Sequence, residues 1–419
     1  MDTTPRAIRS VKGFADLFEP WSALFTRMED TARRVFGAYG YRELRLPLLE
    51  YADLFSRAIG AETDVVQKEM FTFPDRGGRL VTLRPEATAG IMRACIENGL
   101  CGRESLSRIF TCGPMFRYER PQKGRMRQFH QIDCECLGLV EPQADAEILL
   151  MLLHFLRELG IRDLVLDLNT LGCRLCRPAY GRALTAFLLT LSPEDLCENC
   201  RRRARTNPLR VLDCKEAACQ ALLRDAPLLP DHVCPDCADH FAAVRALLEN
   251  QGVACNLNPR LVRGLDYYNR TAFELISSAI GAQGAVAGGG RYDGLLAQLG
   301  GPDLPGIGFA CGMERLALLM DEAGRNRPDF FIAAPRAAGT ALELAQVLRE
   351  AGLCGEAAFS AGSLKSQMRQ ASRSRARFCL ILGEEELAQG TVTIRDMDKA
   401  TQHPLSRTDL PAWAAERLV

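Results

Sequence analysis

The chain has no excess of charge of either sign: Lys+Arg and Asp+Glu are equal at 52 each. Bulk charge therefore does not announce a nucleic-acid partner, and any such partner must bind a local basic patch. A run of about 18 apolar residues is also missing, so no membrane-spanning helix is expected. The opening MDTTPRAIRSVKGFADLF lacks an apolar stretch followed by a small-residue cleavage site, so the expected location is cytoplasmic. There is no G-x-x-x-x-G-K-[ST] loop and no strand–GxGxxG–helix unit, so neither a P-loop nor a Rossmann-type site is supported. Internal repeats and low-complexity tracts are absent as well.

What is present is a globular composition: 419 residues, 47% hydrophobic and 25% charged. At about 100–200 residues per domain, two to four domains are expected. Apolar Trp21, Leu24, Phe25, Met28, Ala32, Val35 and Phe36 recur at helical spacing over 20–40. Tyr41 to Pro47 alternates as a strand would, and Pro47 stops it. A helix is expected from about Ala144 to Leu159, closed by Gly160, followed by a strand at LVLDLN (164–169). Residues 170–240 differ in texture, with eight cysteines, several prolines and the basic run Arg201–Arg203. They read as an inserted subdomain. A boundary is expected near Glu322–Pro328. Beyond it, strands FFIAAP (330–335), RFCLILG (377–383) and TVTIRD (391–396) and a helix over 339–352 point to a small sheet covered by helices.

Five segments could carry chemistry. LRPEATAGIMRA (83–94) offers the carboxylate of Glu86 and the hydroxyl of Thr88 as acceptors for an ammonium group, or is simply a helix start with Pro85 near its first turn. FTCGPMFRYERPQKGRMRQFHQIDCECLG (110–138) packs Arg117, Arg120, Lys123, Arg125 and Arg127 around a turn marked by Pro121 and Gly124. Guanidinium forks match phosphate oxygens, so this basic tip suits phosphate binding. In its second arm Gln131, Asp133 and Glu135 would share one strand face, with His130 packed on the other. A solvated surface hairpin is the bland alternative. LVRGLDYYNRTAFEL (261–275) carries Arg263, Tyr267 and Tyr268; the tyrosines suit a flat heteroaromatic ligand, or are core aromatics of a strand. GAQGAVAGGGRYDGLLAQLG (281–300) lets backbone approach a ligand closely, or is a flexible loop. In GIGFACGMERLALLM (306–320) a Gly-rich strand runs into a helix carrying Arg315, placed to clamp a terminal phosphate.

Order and wording together are more specific than any one segment. GPMFRYERPQKGRMRQFHQ is similar to motif 2 of the class II aminoacyl-tRNA synthetases, GIGFACGMERL to motif 3, and Gly40–Pro47 to motif 1. RGLDYYNRTAFE and LRPEATA resemble the histidine-specific motifs, so over nearly its whole length the chain resembles the histidyl-tRNA synthetase family. That resemblance implies an α+β fold: an antiparallel-sheet catalytic core flanked by helices, an insertion, and a C-terminal α/β anticodon-binding domain. The implied boundaries are 1–169 and 259–325 for the core, 170–258 for the insertion and 328–419 for the anticodon-binding domain. It implies activation of L-histidine with ATP and Mg2+, transfer to tRNA(His), and a homodimer. Arg117 would hold the α-phosphate, Arg315 the γ-phosphate, and Glu119 lies with them in the ATP site. Arg263 would act beside the α-phosphate. Glu86, Thr88 and Gln131 would bind the α-amino group; Glu135 and Tyr268, with Tyr267, the imidazole; and the glycines of 284–290 would floor the pocket. Competing readings are the regulatory subunit of ATP phosphoribosyltransferase, whose synthetase-like chains tend to lose the arginine motifs and the anticodon domain, a synthetase for another amino acid, and a zinc-stapled RNA-binding module.

Cysteine is the remaining abundance. Cys173–Cys176, Cys197–Cys200 and Cys234–Cys237 are CxxC pairs, and Cys214–Cys219 is a wider pair. Such pairs in a reducing compartment resemble structural zinc sites with four cysteine ligands, or are buried small apolar residues. Zinc here is expected to be structural and remote from catalysis, with Arg201–Arg203 near the tRNA acceptor stem.

Overall fold

The computed structural model describes residues 8–60, 63–101, 107–122, 124–321, 327–359 and 362–417. The chain divides into two compact units, Met1–Asp321 and Glu322–Val419. The expected boundary stretch therefore begins where the units divide, and residues 322–326 lie outside the described residues.

In the first unit α1 (Trp21–Ala38) buries Leu24, Phe25, Met28, Ala32, Val35 and Phe36, the stripe that its spacing predicts. Strand β1 (Arg42–Glu43) is shorter than the alternation suggests. Leu44 still donates its N–H to the Phe110 carbonyl, but the chain then leaves the sheet, and the Leu46 carbonyl is taken by the Arg84 guanidinium. Leu44 and Leu46 do pack on the core, so the period-2 pattern reported burial and not strand pairing. A three-stranded antiparallel sheet follows, from β2 (Leu49–Tyr51), β3 (Phe71–Pro74) and β4 (Leu80–Leu83), with β4 central. Helices α2 (Ala52–Ile59) and α3 (Thr88–Glu97) flank it.

The main sheet adds β5 (Ser107–Phe116), β6 (Gln128–Leu137), β7 (Leu164–Thr170), β8 (Asn256–Leu257), β9 (Asn269–Ser277), β10 (Ala285–Arg291) and β11 (Gly306–Gly312). Its order is β1-β5-β6-β11-β10-β9-β7-β8. The six inner strands are antiparallel, and only the two-residue edge strands pair in parallel. Helix α4 (Pro142–Glu158) starts with Pro142 in its first turn and ends before Gly160, whose φ of +80° suits glycine. It packs with α1 against one face of this sheet. There Arg291, 0% exposed, meets Asp145, which also accepts a hydrogen bond from Thr271. The other face carries the site.

Between β7 and β8 the chain forms α5 (Arg177–Leu188), α6 (Glu198–Thr206), α7 (Ala217–Leu222) and α8 (Pro235–Asn250). Helices α5 to α7 and the turn Pro208–Val211 share a hydrophobic core with α2 and α3, in which Tyr180, Leu184, Cys200, Val211 and Cys219 meet the cluster of Phe55, Ile91 and Met92, while α8 packs against α4. The first unit closes with α9 (Leu295–Gln298) and α10 (Met313–Ala317).

The second unit holds β12 (Phe330–Ala333), β13 (Gly355–Ala357), β14 (Phe378–Ile381), β15 (Thr391–Asp396) and β16 (Gln402–Ser406) in the order β13-β12-β14-β15-β16. The first three are parallel, and β15 and β16 are antiparallel. Helices Ala338–Glu350 and Leu410–Ala415 pack Leu344, Leu348, Leu410 and Trp413 onto Phe330, Phe378 and Leu380.

Candidate active site

The β5–β6 hairpin supplies the acidic wall. Residues alternate sides along a strand, so Gln131, Asp133 and Glu135 project from one face of β6. Opposite them on β11 stand Gly312, Ala310 and Gly308. A Cβ at Gly308 would lie 1.6 Å from Glu135 Oε2, so the Glu135 carboxylate occupies the space that any other residue there would fill. Gly306 makes the same room for Tyr292, while at Gly290 a Cβ would meet the Thr271 carbonyl at 2.5 Å and the Tyr268 ring at 3.1 Å. Gly288 makes room for Arg263, whose guanidinium would be 2.5 Å from an added Cβ. These glycines thus make room for the side chains that gather at the site.

Glu135 is 1% exposed. Its carboxylate accepts hydrogen bonds from the Thr88 hydroxyl at 2.7 Å and from the Tyr292 phenol. Burial nevertheless pushes its carboxyl up to about 8. Asp133 is raised well above the ordinary range by burial, and further by neighbouring Glu135 and Glu86. Burial raises Glu86 too, although it accepts the Thr88 and Ala89 N–H groups at 2.8 and 2.9 Å. Glu86, just before α3, thus accepts the first N–H groups of that helix and lies within a buried acidic group. Asp133 Oδ2 and Gln131 Oε1 are buried with no hydrogen-bond partner. Burial thus favours the protonated form of all three carboxyls, and among them Asp133 keeps a buried oxygen without a hydrogen-bond partner.

An aromatic wall faces this group. Tyr267 and Tyr268 are buried with ring centroids 4.6 Å apart, and Tyr292 meets Tyr267 edge-on at 5.8 Å. Burial raises all three phenols, so they stay neutral donors.

Arginines complete the site. Arg263 is paired with Glu274 at 2.9 Å and lies 5.7 Å from the centre of the Tyr268 ring. Arg117 donates to the Pro85 carbonyl at 2.9 Å and lies over Phe129. Arg315, in the first turn of α10, donates to the Ala285 carbonyl and reaches Gly124 at the hairpin turn. Burial, and after it the charge of Arg125, lowers its guanidinium. Glu119 pairs with Arg125 at 2.8 Å, Arg127 stacks on Tyr118, and Arg120 is exposed. Lys123 lies outside the described residues. His130 donates its N–H to Glu314 at 2.9 Å and packs its ring on Phe25, so it serves the scaffold.

Sequence reasoning assigned no role to Asp133, Tyr292 or Glu274. Pleat parity could have found Tyr292, which continues the Gly288, Gly290 face of β10, but Glu274 meets Arg263 only through the register of β9.

The eight cysteines of the insertion form two tetrads. Cys173, Cys176, Cys234 and Cys237 gather in one and Cys197, Cys200, Cys214 and Cys219 in the other, each with its sulfurs within 4.8 Å of one another. Either set could hold a metal ion.

Residues 13–316 match the family model described as histidyl-tRNA synthetase, and residues 329–417 the model described as anticodon binding domain. A histidine–tRNA ligase of Nitratidesulfovibrio vulgaris is 61% identical, covering 97% of this chain and 98% of its own. That of Oleidesulfovibrio alaskensis is 59% identical, covering 98% and 99%. The crystal structure of the apo histidyl-tRNA synthetase of S. aureus superposes with a TM-score of 0.81 at 32% identity, covering 98% of this chain and all of that one. No helix among the described residues is long and apolar enough to cross a membrane.

Proposed function

The chain belongs to the histidyl-tRNA synthetase family and is a class II aminoacyl-tRNA synthetase, a histidine–tRNA ligase; from that premise we propose how its residues divide the work. ATP, as its Mg2+ complex, and L-histidine are the first substrates, and tRNA(His) takes the histidyl group from the adenylate. The regulatory-subunit alternative is not favoured, because the relatives at 59–61% identity are ligases over their whole length.

The observation that carries the reading is the buried acidic group of Glu86, Asp133 and Glu135 beside a tyrosine wall. It suits a ligand with an ammonium group and a flat ring bearing N–H donors. Histidine is such a ligand. Glu86, Thr88 and Gln131 take its ammonium, and the orphaned oxygen of Asp133 supports adding that residue to them. Glu135 accepts a ring N–H, with Tyr268 and Tyr267 on the imidazole. A ligand without ring nitrogens would leave buried polar atoms unpaired, which is a strong basis for discrimination.

Activation joins two anions, the histidine carboxylate and the α-phosphate. Arg117 and Arg263 offset their repulsion and the charge that develops on the phosphoryl oxygens, and Arg315 holds the γ-phosphate. No side-chain nucleophile is required, because the carboxylate itself attacks. Glu274 keeps Arg263 extended over the pocket. Glu119 steadies the hairpin tip through Arg125 and so acts on the ATP site indirectly.

The second unit carries the anticodon-binding role, and the enzyme works in the cytoplasm as a homodimer. In support of the dimer, the β2-β4-β3 sheet leaves Leu48, Leu49, Tyr51, Phe73 and Leu80 exposed, an apolar patch of the kind that marks interfaces. The cysteine tetrads hold structural Zn2+. The experiment for the whole reading is ATP–pyrophosphate exchange across all twenty amino acids without tRNA. Exchange with histidine alone is expected; none with any amino acid, from folded protein, would refute it.

A further inference from the structure

The insertion is built from short helices, yet its fold is held to the catalytic unit at specific points. In the first tetrad the Sγ atoms of Cys173 and Cys176 are 3.6 Å apart, Cys173 and Cys234 4.0 Å, and Cys176 and Cys237 3.9 Å. In the second, Cys197 and Cys214 are 3.8 Å apart. Tetrahedral zinc with Zn–S of about 2.3 Å places its sulfurs about 3.8 Å from one another. A disulfide would bring a pair to about 2.0 Å, and all eight cysteines are free. Backbone N–H groups point at the sulfurs: Leu175 at Cys173 (3.4 Å), Cys234 at Cys176 (3.1 Å), Cys200 at Cys197 (3.4 Å) and Cys197 at Cys219 (3.3 Å). Such donors stabilise thiolates, the form that binds metal. Gly172, at a φ of +60°, lets the chain pass Cys176 where a Cβ would lie 2.7 Å from that of the cysteine.

The tetrads sit next to the segment that carries the pocket. Arg177 follows Cys176 and donates to the carbonyls of Asp266 and Tyr268. At the end of α6, which begins at the second tetrad, Asn207 donates to the Asp266 carboxylate at 2.9 Å, and in the turn Pro208–Val211 that follows, Arg210 donates to the Arg263 carbonyl at 2.9 Å. Arg202 and Arg203 of α6 hold Asp64 at 2.8 and 3.0 Å. Donors from the insertion therefore reach four polar atoms of the stretch from Arg263 to Tyr268, which is held besides by the Asp266 N–H on the Ile59 carbonyl and by Arg263 on Glu274. The sequence leads one to expect clusters remote from catalysis, yet Arg177, next to Cys176, and Asn207, at the end of α6, both reach the segment that carries Arg263.

We propose that the insertion binds two zinc ions, one in each cysteine tetrad, and that these ions, acting through Arg177, Asn207 and Arg210, position the segment bearing Arg263, Tyr267 and Tyr268. Each ion replaces the protons of the thiols it binds, which pass to solvent. The first ion joins residues 58 apart, Cys176 and Cys234, and so pins both ends of the insertion beside β7. The positioning half of the proposal rests on the histidine-pocket reading; the metal half does not.

The test begins with the full-length protein purified without chelator and analysed by inductively coupled plasma mass spectrometry. Two zinc ions per chain are expected, falling to one in Cys173→Ser/Cys234→Ser and to one in Cys197→Ser/Cys214→Ser. Metal-free, folded wild-type protein, or tetrads found as disulfides by mass spectrometry, would overturn the sites without any variant having to fold. Arg177→Gln then cuts the link while sparing every ligand. It should keep two zinc ions, raise the KM for histidine about tenfold, and move the KM for ATP by less than about twofold, with Arg177→Lys restoring part of the loss. An unchanged histidine KM in Arg177→Gln would overturn the positioning role. Wild-type protein with two zinc ions but no histidine-dependent exchange would instead refute the pocket reading.

Discussion

Replacing Glu135 by glutamine should make the ligand-free protein more stable in alkali and worse at its task. The Glu135 carboxyl is pushed up to about 8 from an ordinary 4.5 by burial. The folded state therefore keeps this proton across a pH window in which the unfolded chain has lost it. Stability is drawn down as pH rises from about 4.5 to about 8, and the loss is complete above that. At about 1.4 kcal/mol per pH unit the full loss is about 4–5 kcal/mol. The amide copies the protonated acid except for one additional N–H, whose want of an acceptor costs about 1–2 kcal/mol. Glu135→Gln should then start slightly below wild type at pH 5, cross it near pH 6, and stand about 3 kcal/mol above it at pH 9. Urea unfolding at each pH unit from 5 to 9, followed by near-ultraviolet circular dichroism, measures this directly. A difference between the two proteins that stays constant across the series would refute the argument, since it would mean that Glu135 titrates alike in both states. In pyrophosphate exchange the same variant should show a histidine KM raised at least about tenfold, from the loss of a charged acceptor.

Two further outcomes are expected. Arg263→Ala should lower histidine activation about 10²–10³-fold with little change in unfolding midpoint, because it removes a transition-state charge from a side chain 19% exposed; activation at the wild-type rate would remove Arg263 from the mechanism. Gly308→Ala places a Cβ 1.6 Å from Glu135 Oε2 and 2.6 Å from the Cys134 carbonyl, and should cost about 1–3 kcal/mol of stability together with histidine binding, whereas a variant with unaltered histidine KM would show that Glu135 has room elsewhere.

How much of this was legible depended on how local the signal was. Gln131, Asp133 and Glu135 could be put on one face from the sequence, because the period of two is a property of the strand itself. The helix of Trp21–Ala38 and the hairpin around Gly124 were equally readable from apolar spacing and turn residues. The stretch Tyr41–Pro47 shows the limit: alternation placed Leu44 and Leu46 inward, but hydrogen-bond partners lie in Phe110 and Arg84, far along the chain, and only Arg42–Glu43 became strand. Glu274 was missed for the same reason, since its role depends on the register of β9, whereas Tyr292 lay within reach of pleat parity along β10. The cysteines could be grouped into neighbours, yet which pair meets which depends on the path of α5 to α8 between them.

The glycines of β10 and β11 give the pocket a direction in which it can change. Where Gly288, Gly290, Gly306 and Gly308 stand, every single substitution adds atoms, so mutation there can only make the cavity smaller. Room for a larger amino acid in the proposed pocket must come from the side chains packed over these glycines, by trimming Tyr268 or Tyr292. Each of those trims also removes a phenol, and at Tyr292 the hydroxyl that holds Glu135. Size and selectivity are therefore coupled by geometry: a lineage could not widen this site by one step without first giving up part of what distinguishes its ligand.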